Sequence, residues 1–221
     1  MQIKKIFLET SRLNELKVFY NEMLCLPLRS TEKQDLVVHA GNSEIIFRQD
    51  SDNKQPFYHF AFNIPYNKIE AARFWLKEKI KLIWIDDYHS EIAEFTNWKA
   101  RSLYFFDPAG NILELIGRKE YSLGRDNVFS PKDFLSVSEI GIVIPKEDYD
   151  KKVKEIMRLT ELKYFSRQKP LPGFSAVGND EGLLIAVYDD RKWYPTNIHS
   201  GIFPLEIEIW QKDKIHRLTI S

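Results

Sequence analysis

The spacing of hydrophobic and polar residues changes along the chain in a fixed succession, and this succession occurs three times. Each occurrence opens with alternating apolar residues, which predict a β-strand, and continues with apolar residues three and four apart, which predict an amphipathic helix. Short apolar runs between turn residues then predict three more strands, among them one at 82–85 in the second module and one at 162–166 in the third, and Ser11 is the expected N-cap of the first helix. The opening strands are expected at residues 3–10, 57–64 and 137–144. A strand, a helix and three strands make one βαβββ module.

The second module ends in the strongest hairpin signal of the sequence, at residues 98–118. Aromatic residues at 102–106 predict one strand, residues 112–116 predict the next, and the sequence Asp-Pro-Ala-Gly-Asn between them predicts the turn. Alternation places the leucines of the outgoing strand on one face and Glu114 on the other. Because burying an unpaired charge is costly, Glu114 is expected to have a partner.

The modules divide the chain into an expected domain of two modules at 1–120, a polar linker at 121–133 and a less regular part at 134–221. That last part has a degenerate third module and a partial fourth, of which only a strand at 205–210 is predicted. One module cannot cover both faces of its own sheet, so modules must pair. The first two modules are expected to close on each other. The third is expected to pack against them or against a twin in a symmetric homodimer.

Composition excludes several classes of function. Lysine plus arginine and aspartate plus glutamate both number 32, so no basic field favours nucleic acid or an anionic membrane. No apolar run approaches the ~20 residues of a membrane span, and the N-terminus lacks a signal-peptide core, so a cytoplasmic protein is expected. The single Cys25 excludes an intrachain disulfide and a multi-cysteine zinc site, and its helical context predicts burial.

Two motifs of the second module resemble those of a known family. The first is His59 within Tyr-His-Phe-Ala-Phe, followed by an amphipathic helix, and the second is Tyr-Phe-Phe-Asp-Pro-Ala-Gly-Asn-Ile-Leu-Glu-Leu. They are similar to the vicinal oxygen chelate superfamily, which contains glyoxalases, extradiol dioxygenases, and bleomycin- and fosfomycin-resistance proteins. The resemblance implies an α+β fold, in which paired βαβββ modules form a cupped, barrel-like mixed sheet with helices outside and a cavity inside.

The resemblance also implies a metal site. In this superfamily a histidine on the first strand and a carboxylate on the last strand of a module typically hold a metal, and His59 and Glu114 match these positions. Alternation along 57–64 independently places His59 on the face away from the helix, so both side chains are expected in the cavity. Their donor atoms are expected within roughly 3 to 4 Å, as two ligands of one ion would be. Fe, Mn, Ni or Zn are the candidate ions.

The first module departs from this pattern. It has Lys5 where a histidine is expected and Ile46 where a carboxylate is expected. Lys5 is expected on the cavity face, where it would form an ion pair with Glu114. Glu139, on the first strand of the third module, is a weaker candidate ligand that requires modules two and three, or two chains, to share a cavity. Lys5, Phe7, Glu9, Arg101 and Tyr104 are the expected pocket residues.

Two functions remain open from the sequence. The first is a metal-dependent lyase or ring-cleaving dioxygenase that acts on a small oxygen-rich substrate, with Glu114 as catalytic residue. The second is a metal-free protein that sequesters a small molecule, as the bleomycin-resistance branch does. In the second case His59 and Glu114 would be an acid–base pair or polar anchor.

Overall fold

One curved, unclosed β-sheet of thirteen strands runs through the residues that the computed structural model describes, namely 1–32, 35–50, 54–124, 126 and 128–220. Three α-helices accompany it in those ranges. The helices are α1 (Leu13–Val18, continued as a π-helix over Phe19–Met23), α2 (Ile69–Lys77) and α3 (Tyr149–Thr160). The strands are β1 (Gln2–Thr10), β2 (Leu28–Ser30), β3 (Leu36–Ala40), β4 (Ser43–Gln49), β5 (His59–Ile64), β6 (Ile92–Phe95), β7 (Ala100–Phe106), β8 (Ile112–Arg118), β9 (Ser136–Ile144), β10 (Phe174–Asn179), β11 (Gly182–Tyr188), β12 (Leu205–Gln211) and β13 (Lys214–Ile220).

The modules pair differently from the expectation that the first would close on the second. The second and third modules join through antiparallel pairing of β5 with β9, and the first module joins β12 in the same way. Strands β1 and β9 share one residue pair, Ile3 with Val137, which connects the two halves of the sheet. The third module packs against the first two, which was the first of the two expected alternatives, because β9 pairs with β5 and with β1.

The partial fourth module has two strands, which explains why it suffices as a partner for the first module. Strand β13 pairs with β12 along its whole length through a two-residue turn. Lys212 and Asp213 form that turn, both with positive φ, 49° and 58°, as a tight hairpin requires. Neither is the glycine that usually signals such a turn, so the sequence pattern does not reveal β13.

Apolar residues on one face of each opening strand form the main core under the helices. In β5 these are Phe60, Phe62 and Ile64, and in β1 they are Ile6 and Leu8, all fully buried. Alternation therefore leaves the intervening residues of each strand on the concave face of the sheet. The turn between β7 and β8 is fixed by Asp107, whose carboxylate accepts hydrogen bonds from the backbone N–H groups of residues 109 and 111 and from the Tyr20 hydroxyl.

Four local predictions need correction. Residues 82–85 and 162–166 make only isolated bridges, and β6 instead pairs with β7 at the edge of the sheet. Ser11 does not cap α1, which begins after Arg12 without a side-chain cap. Cys25 is exposed, because it takes a left-handed backbone conformation (φ 53°) where the chain leaves the helix.

The polar segment at 50–55 and the linker at 121–133 lie partly outside the described residues, which omit 51–53 of the first and 125 and 127 of the second. The second is tied to the start of α2 through Lys68. Its ammonium lies 2.8 Å from the Asp133 carboxylate and 2.8 Å from that of Asp126. None of the helices in the described ranges combines the length and apolar content needed to cross a membrane.

Candidate metal centre

His59 opens β5 with its ring on the concave face, buried against the paired third module. Its Nδ1 lies 3.0 Å from the carbonyl oxygen of Ile112, which can only accept a hydrogen bond. The neutral ring therefore carries its proton on Nδ1 and directs the lone pair of Nε2 into the cavity. Burial lowers the pKa of His59 to about 4, so the ring is neutral at physiological pH, as a metal ligand must be.

Glu114 lies on β8, on the concave face that alternation predicted, and is buried. Its Oε2 is 3.6 Å from Nε2 of His59, within the distance expected from the sequence. Burial, and then the nearby Glu139 carboxylate, raise the pKa of Glu114 to about 8. The hydroxyl of Tyr104, directly opposite on β7, hydrogen-bonds this carboxyl group. The raised pKa favours the protonated form of Glu114 near neutral pH, and a cation at this position would have to displace that proton.

Glu139 reaches the same point from β9, because β5 and β9 lie side by side with Ala61 opposite Glu139. Burial raises the pKa of Glu139, while the guanidinium of Arg118 opposes that rise. Arg118 is fully buried and forms an ion pair with Glu139. It also donates to Asn63 Oδ1 at 3.0 Å and to the Ser138 hydroxyl. Sequence analysis did not assign this role, since an arginine at the end of a strand is usually at the surface.

The three side chains form a donor set that fits a divalent metal. One ligand atom from each of His59, Glu114 and Glu139 lies within 4.8 Å of the other two. Three protein ligands with room for further ones is the usual arrangement of a catalytic metal site. One imidazole and two carboxylates suit Mn or Fe better than a thiolate-preferring ion. The matching fourth position, opposite Gly141 on β11, is Ile185, which has no donor atom.

A cavity of about 260 Å³ opens in front of these ligands. Six of its fourteen lining residues are Phe, Trp or Tyr, and five are charged or polar: His59, Glu114, Glu139, Gln168 and Arg191. The lining residues are His59, Phe95, Trp98, Tyr104, Glu114, Ile116, Glu139, Gln168, Leu171, Phe174, Ile185, Arg191, Trp193 and Tyr194. Such a cavity suits a small, largely apolar ligand with oxygen atoms at its inner end.

Trp193, in the connection between β11 and β12, closes one side of the candidate metal centre. Its ring centroid lies 5.1 Å from that of His59, and the side chain is buried. Gly141 makes this position available, because a Cβ there would lie 2.5 Å from the Trp193 ring. From the sequence alone Trp193 could either line a cavity or pack in the core, and its close approach to Gly141 places it against the cavity.

Four of the five expected pocket residues lie elsewhere. Lys5, Phe7 and Glu9 are on the concave face, as expected, but in the half of the sheet built by the first module. Lys5 does not neutralise Glu114; its ammonium lies 3.1 Å from the Glu44 carboxylate. Arg101 lies on the helix side of β7, where it forms ion pairs with Glu70 and Glu94 at 2.8 and 2.9 Å. Tyr104 is in the cavity as predicted.

The first half of the sheet has the same three positions with different side chains. Strand register makes Lys5 the counterpart of His59, Ile46 that of Glu114, and Glu206 that of Glu139. Here a second arginine takes part, since Arg48 on β4 lies 2.5 Å from the Glu206 carboxylate. Two cationic side chains thus lie among the carboxylates of this half.

Two solved structures share this architecture over most of the chain. A provisionally assigned dioxygenase from Bacillus subtilis matches 85% of this chain and 63% of its own, with a TM-score of 0.59 and 14% identity. A glyoxalase I mutant from Zea mays matches 90% of this chain and 70% of its own, with a TM-score of 0.55 and 15% identity. The chain therefore spans less than two thirds of the Bacillus protein. No protein-family model matches the sequence, and no curated protein matches it. At these identities the likeness shows the fold alone, and the chain has the paired-module fold of these glyoxalase-type structures, as the motifs of its second module indicated.

Proposed function

We propose that the protein is a divalent-metal-dependent enzyme, a lyase or a dioxygenase, that acts on a small oxygen-rich substrate in the aromatic cavity. The observation that carries the proposal is the convergence of His59, Glu114 and Glu139 within 4.8 Å at the inner end of that cavity. A bound ion would supply Lewis-acid or oxygen-activating chemistry there. Fold likeness to a dioxygenase and to a glyoxalase is compatible with both reaction classes and selects neither.

The protein's own residues prepare this centre. His59 keeps Nε2 free because Nδ1 is held by a backbone carbonyl, and Arg118 fixes the direction of the Glu139 carboxylate. Glu114 gives up its proton when an ion binds, with the Tyr104 hydroxyl next to it. Trp193 and the other aromatic rings exclude water from the ligands, which strengthens electrostatic interactions inside the cavity.

Metal binding by the purified protein tests the proposal. Calorimetric titration with Mn²⁺, Fe²⁺, Ni²⁺ and Zn²⁺ should give one site per chain, and His59→Ala or Glu114→Gln should weaken it at least about tenfold. His199→Ala, which removes an exposed histidine outside the cavity, is the matched control and should bind normally. One-site binding that survives both cavity substitutions would refute the assignment. The loaded protein can then be screened for turnover of small oxygen-rich compounds, with His59→Ala as the blank.

A second candidate function is metal-free binding of a small molecule. It is favoured by the charge balance of the cavity, since Arg118 compensates Glu139 and Glu114 holds a proton at neutral pH. Glu114 would then donate a hydrogen bond to the ligand. Absence of stoichiometric metal after purification and after titration would support this function over the first. In either case the proposed partner is a small molecule; a homodimer stays a prediction, which sedimentation analysis would test.

A further inference from the structure

The outer part of the cavity contains a cation that the proposed chemistry does not use. Arg191 follows β11 and lines the cavity, with its guanidinium 4.8 Å above the Phe174 ring. Its side chain has no ion pair within the described ranges, whereas the partly buried Arg101 and Arg167 each contact two carboxylates. Apart from the neutral His59, it is the basic side chain among the lining residues.

Strand register places this guanidinium away from the metal centre, on the same wall of the cavity. Ile185 lies at the level of the centre, opposite Gly141, and Val187, two residues further along β11, lies opposite Phe174. Two residues of a strand span about 7 Å. The guanidinium lies a further 4.8 Å from the Phe174 ring, so its distance from the three candidate ligands is on the order of 10 Å. Six aromatic side chains are among the residues that line this cavity.

We infer that Arg191 is an anion subsite, and that the ligand of this cavity has two ends. One end presents oxygen atoms to His59, Glu114 and Glu139, the middle is a flat apolar body, and the far end carries a carboxylate or an equivalent anion. This inference rests on the proposed function for the inner end only. The planar guanidinium suits a carboxylate because it can donate two parallel hydrogen bonds. Stacking on Phe174 holds it in place, which lowers the entropic cost of binding.

A pair of matched probes tests the subsite without a metal. 3-Phenylpropionate and its neutral analogue 3-phenylpropanamide are titrated into the EDTA-treated protein, with the fluorescence of the cavity tryptophans as readout. The acid should bind more tightly than the amide. Arg191→Gln should weaken the acid about 10- to 100-fold, the range for a hydrogen bond to a charged group, and leave the amide unchanged. Arg158→Gln, an exposed helix position, is the control and should change neither.

The probe titrations decide whether Arg191 is an anion subsite. Equal affinity for acid and amide, no binding of either, or an Arg191→Gln protein that keeps the preference for the acid would overturn the subsite. A thermal melt of Arg191→Gln checks that the protein is folded. Because the probes are titrated into EDTA-treated protein, this result is independent of the metal titration, so failure of the subsite and failure of the metal centre are separate findings.

Discussion

The buried pair of Arg118 and Glu139 gives the sharpest prediction for stability. Arg118→Met keeps most of the side-chain volume and removes the guanidinium. Glu139 then remains buried without its counter-charge, and Asn63 and Ser138 lose a donor. Breaking a buried pair by removing one partner typically costs 3–5 kcal/mol, so we expect a loss of about 4 kcal/mol. For a chain of this length that corresponds to a drop in Tm of roughly 8–16 °C.

Chemical denaturation and a thermal melt, both without metal, measure this loss. Arg217→Met is the matched control, because Arg217 is exposed and its pair with Glu208 should contribute less than about 1 kcal/mol. The double variant Arg118→Met with Glu139→Gln removes the uncompensated charge. It should be more stable than Arg118→Met by at least about 1 kcal/mol, as expected for coupled neighbours.

Metal provides an independent readout of the same pair. A divalent cation next to Glu139 replaces part of the missing charge, so Mn²⁺ should raise the Tm of Arg118→Met more than that of the unmodified protein. The reasoning fails if Arg118→Met is as stable as the control, or if adding Glu139→Gln brings no recovery.

Three further predictions concern other parts of the molecule. Metal affinity should increase about tenfold from pH 6 to pH 7 and level off above pH 8, because the ion must displace the proton of Glu114; a flat profile in calorimetry would contradict this. Gly141→Ala should cost about 1–3 kcal/mol and shift the tryptophan fluorescence to the red, since the new Cβ displaces Trp193; an unchanged emission spectrum would argue against that contact. Lys68→Met should lower the free energy of unfolding by about 3 kcal/mol, measured by chemical denaturation, whereas Lys152→Met at an exposed position should lower it by less than about 0.5 kcal/mol. Equal losses in the two variants would show that the burial of Lys68 is unimportant.

Local periodicity was sufficient to predict the modules and the direction of the key side chains. Alternation along β5 and β8 placed His59 and Glu114 on the concave face, and the Asp-Pro-Ala-Gly-Asn turn predicted the hairpin that sets the register of β7 against β8. These features depend on residues close in sequence. Alternation also placed Lys5 on a concave face correctly, but its assignment to the cavity depended on which modules pair.

Pairing between modules joins residues far apart in sequence, and alternation along single strands contains no information about it. Glu139 could therefore be predicted only as a conditional ligand. Arg118 and Trp193 were not assigned to the metal centre for the same reason. Arg118 reaches Glu139 from a neighbouring module, and Trp193 reaches His59 through the space at Gly141. Sequence alone could have suggested Arg118 only through its place in an otherwise apolar strand.

The two halves of the sheet have the same backbone arrangement but different side chains at the equivalent positions. The half built by the second and third modules has the donor set of His59, Glu114 and Glu139. The half built by the first module and β12 has Lys5, Ile46 and Glu206 at these positions, and the cationic side chains of Lys5 and Arg48 lie beside its carboxylates. Both halves have an arginine on the last strand of a module, paired with a carboxylate of the facing one. The same backbone is thus maintained with and without a ligand set. Side chains at these corresponding positions can therefore differ while the backbone arrangement stays the same.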